Sequence, residues 1–449
     1  MPGAQLQLAA YGAQDVYLTG NPQMTNFMAI YKRHTNFAME TIEQLFVGEA
    51  TFGKKVFCTL ERSGDLVGSI YVNIKLPNLY KTFCVNDKYE PLQILGWINK
   101  IGHAIIDTYD IEIGGNKIDK QYGLWLEIWS ELTVPCCKKD AYNMITGRNE
   151  FNNTIHNQGE MNLRIPLRFW FNNNIGLALP LIALQYHQVK INISFKKFED
   201  VFTKISHIPM DKYLLKCKNI KFLNAWLDVE YYFLDDEERK IFAQNEHRYL
   251  IEQLQINTFS FRPNIGNYKE TDDDNIIKII STFYPTLDFN HPVKELIWVL
   301  QRKVILEDND WFNFSISTNP DDLDLNVDEF QGDILESATL QLEGNERFSK
   351  KDAHYFRIIQ PMQHHTNVPD NYIYVYSFAL KPESHQPSGT CNFSRIDKAN
   401  LLLNLKTIIN TYYSVEENTY DNEISLTVFA KNYNILKIMN GMAGVAYSN

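Results

Sequence analysis

Cysteine is scarce in this sequence of 449 residues, which has only six. They are Cys58, Cys84, Cys136, Cys137, Cys217 and Cys391. No two are spaced as a C-x-x-C pair, so a zinc site is not predicted. Six are also too few for a disulfide scaffold in so long a chain. We therefore expect reduced thiols in a protein made in the cytoplasm.

Long apolar runs are missing too. The N-terminus has neither the charged segment nor the apolar core of a signal peptide. No run of 18 apolar residues predicts a transmembrane segment, and the run from 176 to 184 is short enough for a protein core. We expect a soluble protein that is not secreted.

The chain also has fewer basic than acidic residues, 43 against 54, which gives a net charge of −11. Residues 1–30 contain no Lys or Arg, whereas a protein that packages DNA usually carries a basic arm. We therefore predict no direct nucleic acid binding. The acidic clusters at 235–238, 272–274 and 321–329 are interpreted as solvated loops.

Catalytic, cofactor-binding and metal-binding motifs are absent from the sequence, and we predict no such site and no enzyme. Asp322-x-Asp324-x-Asn326 imitates the start of an EF-hand loop, but Val327 and Asp333 stand where that loop needs Gly and Glu. No pattern of Ser, His and Asp indicates a catalytic triad.

Three other features are also given structural rather than chemical interpretations. His364 and His365 are adjacent, so they would point to opposite faces of a strand, and we predict a turn before Pro369 instead of a cupin-type metal site. Residues 114–116 (Gly-Gly-Asn) predict a tight turn rather than a phosphate loop. His187 is interpreted as a core or corner residue.

What the sequence has in abundance is β-strand pattern. Aromatic residues reach 13%, and apolar and polar residues alternate over 70–76, 189–195 and 227–233. Helices are predicted only over 122–132 and 235–244, the second capped by Asp235 or Asp236. The first half contains eight strand candidates, near 37–47, 51–60, 66–76, 104–113, 161–171, 181–185, 187–196 and 222–234. A similar number lies between 249 and 439, which favours an all-β protein of two sandwiches.

A weak internal repeat supports two similar halves. Ile111-Glu-Ile-Gly-Gly-Asn116 aligns with Leu340-Gln-Leu-Glu-Gly-Asn345, and both predict a strand that runs into a turn. We therefore predict a duplicated sandwich of eight strands per half. Its predicted bounds are an N-terminal arm (1–26), a first sandwich (27–235), a linker helix (236–248) and a second sandwich (249–449).

Four motifs, in order along the chain, carry a family resemblance. They are YGAQDVYLTGNPQ (11–23), GLALPLIALQYH (176–187), FALKPESHQPSGTCNFSRID (378–397) and AKNYNILKIMNGM (430–442). With them the whole chain resembles the major capsid proteins of nucleocytoplasmic large DNA viruses, most of all the algal and amoebal members. The resemblance implies a double jelly roll, two tandem eight-stranded sandwiches with few short helices.

The resemblance also implies a structural function. A homotrimer would form a pseudo-hexagonal capsomer, contact neighbouring capsomers and tile an icosahedral shell that is assembled in the host cytoplasm. The arm 1–26 would contact neighbouring subunits or minor capsid proteins on the inner side of the shell. Loops within 263–285 and 301–332 would face the host. The alternatives are a minor capsid or spike protein on the same fold, and a jelly-roll carbohydrate-binding module.

Surface glycans are a further implication of the resemblance, since members of this family can carry them. Acceptor motifs of the N-x-[ST] type occur at Asn152, Asn192, Asn313 and Asn392. We interpret all four as chance occurrences, so the motif itself predicts no glycan position.

Overall fold

The computed structural model of the chain describes residues 3–78, 95–147, 160–204, 220–263, 276–307, 309–316, 332–410 and 423–447. The chain divides into two compact units, residues 1–37 and 38–449. The first unit contains two short helices, α1 (Gly3–Ala9) and α2 (Val16–Thr19), with no buried residues.

The first half of the second unit is built mainly from strands. They are β1 (Phe37–Leu45), β2 (Lys55–Thr59), β3 (Leu66–Leu76), β4 (Leu95–Trp97), β5 (Ile106–Ile113), β6 (Asn116–Tyr122), β7 (Met161–Pro166), β8 (Leu179–Pro180), β9 (Val189–Phe195), β10 (Phe202–Lys204) and β11 (Asn224–Leu234). Its helices are α3 (Ile101–Ile105), α4 (Gly123–Thr133), α5 (Cys136–Thr146) and α6 (Trp170–Asn173).

The second half begins with helix α7 (Asp236–Gln244). Its strands are β12 (His247–Phe261), β13 (Ile276–Phe283), β14 (Thr286–Leu287), β15 (Pro292–Arg302), β16 (Leu335–Leu342), β17 (Asn345–Glu346), β18 (Lys351–Asp352), β19 (Tyr374–Ser377), β20 (Cys391–Asn392), β21 (Ala399–Asn410), β22 (Ile424–Met439) and β23 (Met442–Val445). Helices α8 (Lys303–Glu307) and α9 (Gln360–His364) complete it, and a π-helical turn, Tyr355–Ile359, leads into α9.

The strand order of the sheets is the same in both halves. The first half has the sheets β1-β11-β3-β7 and β2-β9-β5-β6, and the second half has β12-β22-β15-β19 and β13-β21-β16-β17. In each half the first strand therefore pairs with the last long strand, and the paired strands run antiparallel. This arrangement is the double jelly roll predicted above.

The internal repeat corresponds to two matching hairpins. Ile113 pairs with Asn116, and Leu342 pairs with Asn345, which leaves two residues in each turn. Those two residues have positive φ in both turns, +59° and +87° at Gly114 and Gly115, and +51° and +77° at Glu343 and Gly344. Both hairpins are therefore closed by the primed type of turn that suits the twist of paired strands.

Both predicted helices are confirmed, as α4 and α7. The Asp235 side chain accepts a hydrogen bond from the Glu238 backbone N–H at 2.9 Å and caps the N-terminus of α7. The short helices α3, α6, α8 and α9 were not predicted, since helices of about one turn carry little periodic signal. The 11-residue α5 was also not predicted, because its buried residues, Asn143 and Thr146, are polar and give no apolar periodicity.

Three strand predictions need correction. Residues 181–185 form no strand; Leu181–Ala183 is a 3₁₀ turn closed by the Leu184 N–H on the Leu181 carbonyl at 3.1 Å. Its apolar side chains are mostly buried without alternation, and such a run does not distinguish strand from helix. The strand predicted over 161–171 ends at Pro166, and the one predicted over 51–60 begins only at Lys55.

Candidate functional site

The described part of the chain shows no arrangement typical of an enzyme. No three His, Cys, Asp or Glu side chains are grouped there as potential metal ligands. Within the same ranges, no helix is long and apolar enough to cross a membrane. The imitation of an EF-hand loop at Asp322 to Asn326, the acidic clusters at 272–274 and 321–329, and Cys84, Cys217 and Asn152 lie outside the described residues.

The two jelly rolls meet at an apolar junction, where the core of the first roll takes in side chains of the second, while the second roll also has a separate hydrophobic cluster. Buried side chains of the second roll join the core of the first, among them Ile297, Val375 and Phe429. The rings of Trp125 and Phe429 lie 5.2 Å apart across this boundary. Because the shared core excludes water, the two rolls are held together by the same burial that stabilises each of them.

Backbone hydrogen bonds fix the angle at which the rolls meet. The Asp119 carboxylate accepts from the Leu254 N–H at 3.2 Å, and the Tyr186 N–H donates to the Gly441 carbonyl at 3.0 Å. Burial raises the pKa of Asp119 to about 6, against the lowering effect of its hydrogen bonds. These hydrogen bonds at separate points of the junction add directional contacts to the shared apolar surface.

A second contact area at the junction involves the segment after β15. The Trp311 indole N–H donates to the Asp200 carbonyl at 2.7 Å, and the Lys196 ammonium lies 3.3 Å from the centre of the Trp311 ring. Asn309 donates to the Glu199 carbonyl at 2.7 Å. Here too the second roll is attached to the first by directional contacts.

Buried charges lie beside the junction in the second roll. Lys294, the third residue of β15, has a fully buried side chain and pairs with Glu252, which also pairs with Lys431 at 2.8 Å. Burial, and then the charge of Lys431, lowers the pKa of Lys294 to about 8. Burial alone would raise the pKa of Glu252, but the two ammonium groups hold it below its usual value.

His365 belongs to a neighbouring charge cluster. Its Nε2 lies 3.0 Å from Glu295 and its Nδ1 lies 2.9 Å from Glu383, with the His365 side chain fully buried. Burial alone would lower the pKa of His365, but the two carboxylates outweigh it and raise the pKa to about 9. His365 is therefore an imidazolium at neutral pH and bridges the buried Glu295 and the partly exposed Glu383.

This position of His365 was not foreseen. The sequence predicted a turn at His364 and His365, whereas α9 extends to His364, and His365 turns inward directly after it. One sequence signal could have indicated the cluster. Lys294 and Glu295 interrupt an otherwise apolar strand, and charges in a central strand need buried partners.

The remaining predicted positions have structural surroundings. His187 accepts a hydrogen bond through Nδ1 from the Ala443 N–H at 3.1 Å, so it is a corner residue that joins the two rolls. Asn192 and Asn313 point into hydrogen-bonded surroundings, Asn192 towards Asp110 at 2.7 Å. Asn392 is exposed and caps a short 3₁₀ helix by accepting from the Ser394 N–H.

The first unit, taken by itself, exposes a series of large apolar side chains. Tyr17, Leu18 and Phe27 are at least 85% exposed. Water-exposed apolar groups of this number and size favour a binding partner.

Comparisons with known proteins agree with this architecture. A family model described as "Major capsid protein N-terminus" matches residues 25–235, and one described as "Large eukaryotic DNA virus major capsid protein" matches residues 238–444. The major capsid proteins of Pyramimonas orientalis virus and Paramecium bursaria Chlorella virus 1 are 40% and 37% identical to the chain, each over the full length of both proteins.

Solved structures show the same fold. A chain of the quasi-atomic model of the PBCV-1 virus capsid superposes with a TM-score of 0.74 at 31% identity, covering 95% of this chain and all of that one. The Faustovirus major capsid protein gives a TM-score of 0.68 at 13% identity, covering 96% and 94% of the two chains, which supports the fold alone. The chain therefore belongs to the family of major capsid proteins of large eukaryotic DNA viruses, and it is a structural component of the virion rather than an enzyme.

Proposed function

We propose that three copies of this capsid protein close into a ring that forms a pseudo-hexagonal capsomer, and that such rings tile an icosahedral shell in the host cytoplasm. The observation that carries the proposal is the repeated sheet order in the two jelly rolls. Two similar wedges per chain give six wedges per trimer, so a threefold ring presents a nearly sixfold outline.

The junction supports this geometry. A hexagonal outline requires a fixed angle between the two wedges of one chain, and the shared core and junction hydrogen bonds supply it. Ring closure uses a heterologous interface, in which one face of a subunit meets a different face of the next. For a permanent ring we expect each interface to bury roughly 2,000–5,000 Å².

Light scattering on a sizing column tests the trimer. We expect a mass near three times the 52.4 kDa of the chain, unchanged on dilution, and a hexagonal outline in negative-stain images. A folded species that stays monomeric or dimeric at every concentration would contradict the proposal.

The arm 1–26 is proposed to bind neighbouring capsomers or minor capsid proteins, because its apolar side chains are exposed and it carries no basic residue. Deleting residues 1–26 should leave the trimer intact and abolish ordered arrays of concentrated capsomers in electron micrographs. Loss of the trimer itself would mean that the arm is part of the ring contact.

The host-facing loops are proposed to leave one end of each roll. In the second roll, Phe261, Arg302 and Ile424 stand side by side at one end of their sheet. Phe261 and Arg302 lie at the start of the two segments expected to face the host, 263–285 and 301–332. Asn392 is the one exposed acceptor asparagine in the described ranges, and glycan attachment there would be visible as added mass on a single peptide.

A further inference from the structure

A cavity of about 270 Å³ lies at the junction of the two jelly rolls and has walls from both. Trp129, Arg168 and Trp170 come from the first roll, and Glu252, His385 and Lys431 come from the second. The exposed side chains of Asn173 and Asn174 stand at its rim. Since one water occupies about 30 Å³ in the liquid, the cavity has room for a small organic molecule.

The acids around this cavity already have partners. Glu252 pairs with Lys294 and Lys431, and Glu383 accepts from His365 and from the Thr366 N–H at 2.8 Å. These carboxylates are therefore not available to a second cation without loss of an existing contact. A cationic ligand would find no unpaired acid among them.

Arg168 is in the opposite situation. No carboxylate pairs with its guanidinium among the residues that the structure describes, and its buried Nε–H has no acceptor there. Its guanidinium lies 5.6 Å from the centre of the Tyr142 ring, and its own carbonyl accepts from the Gln121 amide at 2.9 Å, which holds the backbone at this point. The guanidinium also hydrogen-bonds the Tyr142 side chain, and it lines the cavity. A guanidinium on a cavity wall without a carboxylate partner can pair with an arriving anion.

The neighbouring groups define the rest of the ligand. The ammonium of Lys431, which is paired with Glu252, lies 3.6 Å from the centre of the Trp129 ring and forms part of the wall. Trp129, Trp170 and Leu177 supply apolar surface. Burial lowers the pKa of His385, which therefore lines the cavity as a neutral imidazole.

We propose that this cavity binds a small organic anion, a carboxylate or a phosphate ester with an apolar part, and that Arg168 is the residue that pairs with its charged group. The planar guanidinium matches two oxygens of either anion, which makes this pairing stronger and more directional than a contact with Lys. Because both rolls line the cavity, the bound anion would join them and stabilise the double wedge.

Saturation-transfer NMR on the full chain tests the site with benzoate and phenyl phosphate, and with benzyl alcohol as a neutral molecule of similar shape. We expect at least one of the two anions to bind, to raise the thermal midpoint of the chain, and to bind more tightly than benzyl alcohol. Which anion binds identifies the charged group that the site prefers. Failure of both anions, or equal binding of benzyl alcohol, would overturn the proposal.

Variants locate the site. Arg168→Gln should weaken binding of the anion about ten-fold, as expected for loss of a charged bidentate pair. Arg168→Lys, which keeps the charge, should weaken it less. Arg164→Gln, an exposed arginine on the same segment, should bind like the unchanged chain. Equal affinity of the anion for all three variants would mean that it binds elsewhere. If Arg168→Gln does not fold, the site is tested by the weaker binding of the anion to Arg168→Lys and by its tighter binding than benzyl alcohol to the unchanged chain.

Discussion

At the scale of single residues, the imidazolium of His365 connects acids from two different segments, Glu295 in β15 and Glu383 in the loop after β19. Its raised pKa links protonation to stability. A histidine whose folded pKa of about 9 exceeds its unfolded value contributes fully below about pH 6.5. That contribution is lost as the pH rises through about 9.

We predict that His365→Gln destabilises the chain by about 3 kcal/mol at pH 6.5, because it removes the cation that is in direct contact with the buried Glu295. The difference from the unchanged chain should shrink between pH 7 and pH 10. Urea unfolding followed at a series of pH values measures this. His364→Gln is the matched control, since His364 is partly exposed and its Nδ1 lies 3.1 Å from the Leu380 carbonyl. A pH-independent difference for His365→Gln would refute the linkage.

The partners of His365 show why this cluster escaped sequence analysis. Glu295 lies 70 positions earlier in the chain, and no local spacing joins the two. Arg168 escaped for the same reason, since its cavity is formed by segments from both halves. Charged groups brought together only by tertiary structure leave no periodic signal.

At the scale of elements, the sequence predicted best those strands that have one buried and one exposed face. β9 alternates strictly between buried and half-buried residues, and it was predicted within two residues of its bounds. The two-residue strands β8, β14, β17, β18 and β20 were not predicted, because so short a pairing depends on its neighbour and not on its own pattern. The two matching hairpins were predicted, since Gly and Asn mark primed turns.

These hairpins provide a matched test of backbone strain. Gly115 and Gly344 occupy equivalent positions with φ of +87° and +77°, and neither has a neighbour closer than 4.0 Å to an added Cβ. Gly115→Ala and Gly344→Ala should each cost about 1–2 kcal/mol from backbone conformation alone.

Gly114→Ala should cost clearly more, because its added Cβ would lie 2.3 Å from the His187 ring. Glu343 has a φ of +51° at the equivalent position of the second hairpin, so this backbone conformation can carry a side chain. The extra cost at Gly114 would therefore come from the contact with the His187 ring. Denaturant midpoints of the three variants give the comparison. Equal losses at Gly114 and Gly344 would contradict the steric part of the argument.

At the scale of the whole molecule, the two jelly rolls share apolar surface at their junction, and the second roll also has a hydrophobic cluster of its own. We expect the shared surface to couple their unfolding. Removing either roll would expose side chains such as Phe429 and Trp125, which now cover each other. We predict a single calorimetric unfolding transition for the dissociated chain. We also expect the second roll expressed alone, residues 236–449, to bind a hydrophobic dye and to lose its fixed tertiary packing.

Two well-separated unfolding transitions, or a second roll that is stable when expressed alone, would instead show that the two rolls fold as independent domains. The predicted domain bounds, 27–235 and 249–449, would then also be folding boundaries. Interface variants give a control. Trp311→Phe removes the indole hydrogen bond to Asp200, and under the cooperative description it should lower the midpoint of the whole transition rather than split it.

The repeated sheet order has a consequence for how such a shell can change over generations. In a ring of six identical subunits, every substitution appears at all six corners. In the proposed ring of three double wedges, a substitution in one roll would appear only at alternate corners, and the other three would remain as they were. Each half of the chain is then free to acquire its own outer loops while its counterpart preserves the lattice contact. New outer loops and unchanged contacts between capsomers can thereby be carried by different halves of the same chain.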